Sequence, residues 1–246
     1  MKLPSLSIRL VSAPNQNVRL MDYWGDCFEA VFILFKPFFK LKSGSHLHPQ
    51  KWLSTHSGNL LQEALLRRKR FDQMILHECR RLSWEEVRSL GHFASYEAVA
   101  DSLMVRPDHP EHADRMADIC RRHQIFYPYE DEFSPYQLSE ILHAIWAQGY
   151  RKIWLGSDLP EQVSPILMQL QADRLDRHFF QTRIAVRSIY PEDHQLLFTN
   201  GWDQHETFVC GPREILEEMI DNGGWEGFFA DESTMSWWNR DENFGG

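Results

Sequence analysis

The 246-residue sequence predicts an α+β fold, with a helical N-terminal and middle region packed on a mainly antiparallel sheet formed largely by the C-terminal third. Three observations carry this reading. Apolar residues recur at helical spacing through 59–123 and again from Ser134 to Gly149. Short β-branched and aromatic runs separated by turn residues fill 183–238. Their order is strand, strand, strand, helix, strand, strand, which closes as one antiparallel sheet with helices on one face.

The elements follow in chain order. Ser7–Val11 has strand character, and Phe28–Phe35 (FEAVFILF) reads as a buried strand that Pro37 stops. Lys42–Gly58 collects Ser, Gly, His and Pro and reads as a loop. Leu60, Leu61, Leu65 and Leu66 make an apolar stripe that ends in Arg67–Arg70, where cations suit a helix C-terminus. Ser83-Trp84-Glu85-Glu86 is a capping box, and Gly91 stops the helix it opens. Short helices are expected from Ser95 and after Pro110. Ser134-Pro135 opens the clearest helix, with Leu138, Ile141, Leu142, Ile145 and Trp146 on its buried face. A strand at Lys152–Leu155 and a helix from Ser164-Pro165 to about Arg177 come next.

In the last third, Arg183–Ile189 and Gln195–Thr199 read as strands, Asn200-Gly201 as a hairpin turn and Glu206–Cys210 as the return strand. A helix follows over Arg213–Asp221, then strands over Trp225–Ala230 and Thr234–Trp238. The chain reads as a single α+β domain over 1–246, with room for an internal boundary near 127–133, where YPYEDEF is charged and contains Pro.

Composition narrows the function. A formal net charge of -9 repels phosphate backbones, disfavours nucleic acid as a partner and suits a cationic protein. No apolar run is long enough to span a bilayer and MKLPSLSIRLVSAPNQNVRL has neither a continuous apolar h-region nor a small-residue cleavage pattern, so a cytoplasmic protein is expected. The 4 cysteines are scattered, as free buried thiols would be.

Four patterns bear on chemistry. The short helices around Gly91 have the outline of a helix-turn-helix, but SYEAVADSLMV lacks a cation or amide with which to read bases. The 12 histidines form no zinc-ligand spacing, so no metal is expected. Asp203 and His205 can polarise one another, and Cys210 precedes a helix N-terminus that would stabilise a thiolate. These three are the catalytic candidates for a small hydrolase or transferase. Neither a P-loop nor a G-x-G-x-x-G supports a cofactor, and none is expected. Trp202, Trp237 and Trp238 are the binding candidates. Adjacent strand positions face opposite ways, so one of Trp237 and Trp238 should lie outward. The leading expectation is a non-enzymatic protein-binding role, such as an immunity protein or antitoxin.

Three stretches, SWEEVRSLGHFASYEAVADSL, FTNGWDQHETFVCGPREILEEMI and EGFFADESTMSWW, together with FILFKPF, resemble a bacterial family catalogued as domain of unknown function 2711. The resemblance spans most of the chain in the same order. It implies a small bacterial cytoplasmic protein and transfers no catalytic residue.

Overall fold

The structure, a computed structural model, describes residues 11–43, 71–104, 106–157, 165–175 and 186–238. Ser7–Val11 (save Val11), the Leu60–Arg70 stripe and most of the His-rich loop lie outside them. The chain forms two compact units. One comprises Met1–Lys36, Tyr129–Phe133 and Gln137–Gly246, and the other Pro37–Pro128 and Ser134–Tyr136.

The first unit is built on a sheet with seven strands among the described residues, in the order β10-β1-β9-β8-β7-β5-β6 and antiparallel throughout. Its strands are β1 (Ala30–Phe35), β5 (Lys152–Gly156), β6 (Ile166–Gln169), β7 (Ser188–Pro191), β8 (Leu197–Thr199), β9 (Glu206–Gly211) and β10 (Gly227–Phe229). Central strands β1 and β9 are buried at every position, so both faces of the sheet must be covered. On one face Phe32, Phe198 and Val209 join the cluster formed by Leu138, Ile141 and Ile145 of α5 (Pro135–Ala147) and by Leu216 and Met219 of α6 (Arg213–Gly223). The other face is covered too. Trp24 of the short helix α1 (Leu20–Trp24) lies edge-on to Phe208 at 5.4 Å. The expectation of helices on a single face is thereby corrected. Alternation along β9 sends Phe208 and Val209 to opposite sides, and each needs its own apolar cover.

The second unit holds a three-stranded antiparallel sheet, β3-β2-β4, from β2 (Phe38–Leu41), β3 (Cys79–Leu82) and β4 (Ile125–Phe126). Residues 71–78 are helical, followed by α2 (Trp84–Gly91), α3 (Tyr96–Asp101) and α4 (Pro110–His123). The capping box is formed as read: Ser83 accepts from the Glu86 N–H at 3.0 Å and the Glu86 carboxylate accepts from the Ser83 N–H at 2.9 Å.

Three local readings are corrected. Cys79–Leu82 is a strand within a stretch read as helical, because its buried ends pair with Phe38–Leu41. Ser164-Pro165 does not open a helix; Ile166–Gln169 pairs with β5 instead, and tertiary pairing overrides the local helix signal. Thr234–Trp238 is an irregular strap with a single bridge, Arg19 to Met235, in place of a strand. The argument from alternating faces therefore does not apply to Trp237 and Trp238, and both are half-buried.

Candidate functional site

A cluster of ionisable groups in the first unit gathers at the turn between β8 and β9. Asn200–His205 makes this turn, and five features fix its shape. The Thr207 hydroxyl donates to the Asn200 side-chain carbonyl at 2.7 Å, and the Asn200 amide donates to the Arg187 carbonyl at 3.3 Å. A Cβ at Gly201 would lie 1.7 Å from the Gln204 side-chain oxygen, so a larger residue there would displace the folded-under glutamine. Asp203 adopts a left-handed φ of 54°, which Asp tolerates better than most residues. Its N–H donates to the Asp131 carboxylate.

Asp131 itself has φ 63° and presents its other oxygen to Arg187 Nη2 at 3.3 Å. The Arg187 guanidinium lies 4.0 Å from the centre of the Trp202 ring and also donates to the Gly201 carbonyl at 3.4 Å. Trp202 is 54% exposed, the most open large apolar residue among the described residues. A large aromatic is thus held in place from beneath by a cation while its remaining surface faces solvent. Burial, together with the charges of Asp131 and Asp203, raises the Glu130 carboxyl above the usual range.

Directly under the turn lie two buried ionisable groups, Lys36 and Glu206. Lys36 is fully buried, and its Nζ donates to the Gln204 carbonyl at 3.1 Å. The same carbonyl accepts from the Asp131 N–H at 3.0 Å, and the Lys36 N–H donates to the His205 carbonyl at 3.1 Å. Glu206, also buried, accepts from Trp238 Nε1 at 3.1 Å. Burial pushes the Lys36 ammonium down to about 7, against the pull of Glu206 and Asp131. Burial pushes the Glu206 carboxyl up to about 7, against the pull of Lys36. Both shifts have one cause: the pocket is dry enough that desolvation outweighs mutual attraction.

The sequence-derived candidates divide. Trp202 and Asp203 sit on the exposed turn, and His205 is buried two residues on. Trp238 stacks on Phe35 at 5.5 Å and meets Phe228 edge-on at 5.2 Å, closing over Glu206. Trp237 is tied through its N–H to the Asn17 side chain at 3.0 Å. Cys210 is fully buried in β9, opposite Val31 and Leu197, and burial drives its thiol well above the ordinary value. The helix-end stabilisation of a thiolate expected from the sequence is overridden by this desolvation. Sequence reasoning missed Lys36, Arg187 and Glu206 as a set. The available signal was an inward-facing Lys at the end of an otherwise apolar strand.

A family model described as a protein of unknown function (DUF2711) matches residues 16–240. The chain belongs to the DUF2711 family. Every residue of the turn and the strap, and Lys36 and Glu206 with them, lies inside the stretch that DUF2711 matches. The chain is also similar to the uncharacterized protein YwbB of Bacillus subtilis (strain 168), with 21% identity over 165 residues, covering 65% of this chain and 72% of the relative. No solved structure matches.

In the second unit, among the described residues, Arg88 pairs with Glu85 at 2.8 Å, Arg80 with Glu86 at 3.0 Å, and Arg121 and Arg122 with Asp118. Among the described residues no group of three or more His, Cys, Asp or Glu is arranged to hold a metal, and no helix is long and apolar enough to cross a membrane.

Proposed function

We propose a non-enzymatic protein-binding role in the cytoplasm, of the immunity-protein or antitoxin kind, in which the Trp202 turn docks on a cationic protein. The observation that carries this reading is the half-exposed Trp202 ring fixed over Arg187 at 4.0 Å. A rigid aromatic loses little side-chain entropy on binding, and Trp is enriched among the residues that dominate interface energy. Glu130 and Asp203 lie next to Asp131 and Trp202 in the chain, and the net charge of -9 favours encounter with a basic surface.

A hydrolase or transferase using Asp203, His205 and Cys210 has less support. Its histidine and its thiol are both buried, and a catalytic pair has to reach substrate.

Affinity capture from the native host at low ionic strength tests the proposal. The wild-type chain should retain a stoichiometric basic protein, and Trp202→Ala should lose it without a change in the circular dichroism spectrum. Equal capture by the variant, or no basic protein at all, would remove the docking role.

A further inference from the structure

We propose that β6 is an interface between two copies of this chain, paired antiparallel across a twofold axis so that the sheet of one copy continues into that of the other. Among the described strands β6 is at the edge of the sheet and pairs with β5 alone. Soluble proteins protect such edges with Lys, an interior Pro, a bulge or a covering element. Residues 165–170, PILMQL, carry no charge, and their proline precedes the strand instead of interrupting it. Ile166 is 42% exposed and Leu167 45%. Adjacent strand positions face opposite ways, so the edge is bare on both sides of the sheet.

The backbone of β6 sets what can occupy this edge. The Leu170 N–H donates to the Arg151 carbonyl at 2.8 Å, and Met168 and Ile166 stand opposite Ile153 and Leu155. The backbone groups of Ile166, Met168 and Leu170 therefore point to β5, and by the alternation of an antiparallel ladder those of Leu167 and Gln169 point outward. Donors and acceptors in line at this spacing are met by another extended chain.

Charge and register favour a second copy as that chain. At a net charge of -9 two copies repel wherever their acidic surfaces meet, and an uncharged strand is where they approach at least cost. A twofold axis perpendicular to the sheet keeps like faces together, so only residues of one face can oppose each other. With the axis at Leu167, Leu167 meets its own mate and Ile166 meets Met168 of the second copy. Both bare aliphatics thus gain apolar partners. The outward Leu167 N–H and carbonyl bond reciprocally across the axis, and each Gln169 N–H reaches the Pro165 carbonyl of the other copy. Pro165, which has no N–H, falls at the ends of this ladder, where a missing donor weakens it least.

Sedimentation equilibrium of the full chain over a range of concentrations tests the interface without any other partner, so it and the docking role can fail separately. The wild type should show a reversible monomer–dimer equilibrium. Leu167→Lys, which sets two ammonium groups against each other on the axis, should raise the dissociation constant at least about tenfold. Gln169→Pro removes an outward N–H that β5 does not use, and it should weaken the dimer as well. Leu167→Cys should cross-link to its mate under a mild oxidant, whereas Leu90→Cys, 37% exposed in the second unit, should not. A wild type that stays monomeric at every concentration overturns the proposal and leaves the edge to a strand of another protein. A dimer unaffected by Leu167→Lys and Gln169→Pro overturns it too, by placing the contact elsewhere. If neither variant folds, failure of Leu167→Cys to cross-link beyond the Leu90→Cys level overturns it alone.

Discussion

Replacing Lys36 by Met should cost about 1–3 kcal/mol of folding stability near neutral pH, because the Gln204 carbonyl loses its buried donor and Glu206 its neighbouring cation. Glu206→Leu should cost a similar amount by removing the acceptor of the Trp238 N–H. The double variant should behave differently. Lys36→Met with Glu206→Leu removes both desolvation penalties and leaves the Gln204 carbonyl its bond from the Asp131 N–H, so it should be neutral or about 1–4 kcal/mol more stable than the wild type. Denaturant unfolding of all four proteins measures the cycle, and additive losses would show that the two side chains do not interact.

The pH dependence has a definite sign. Glu206 has a raised folded-state pKa, so its contribution is fully present below about 4.5 and is lost as pH rises through about 7. Lys36 has a lowered one, so its contribution is present above about 10.5 and is lost as pH falls through about 7. The pair therefore contributes least near neutrality. Stability of the wild type relative to the double variant should pass through a minimum there and rise on both sides. The Lys36→Met penalty should shrink in acid, where Glu206 takes up a proton. A flat difference between pH 5 and 9 would show that the pocket is wetter than its burial implies.

Trp24→Ala should be the second severe substitution, costing about 3–5 kcal/mol. Trp24 is fully buried against Phe208, and α1, at five residues, is too short to stand without its packing. Removing the indole leaves a cavity over the face of β1 and β9 that carries Ile33 and Phe208. Guanidinium unfolding reads the loss directly. A cost below about 1 kcal/mol would mean that α1 is not what covers this face.

What the sequence revealed follows from how far apart the interacting residues lie. The Ser83–Glu86 capping box is contained in four residues and was legible, as was α5 behind Ser134-Pro135. The same Ser-Pro signal at Ser164-Pro165 misled, because β5 offered Ile166–Gln169 a partner that no local rule reveals. At the site, the turn residues Trp202 and Asp203 were found from local patterning. Lys36, Asp131 and Arg187 were not, since each reaches the turn from its own distant segment. A lysine closing an apolar strand reads as an interruption until its counter-ion is placed in space.

The most direct measurement is a binding titration of the captured basic protein with wild-type chain and with Trp202→Ala, repeated at low and moderate salt. The docking account predicts affinity weakened about 30-fold or more by the substitution, equivalent to about 2 kcal/mol, and a wild-type affinity that falls as salt rises. Trp202→Ala binding as tightly as the wild type, with no dependence on salt, would contradict it.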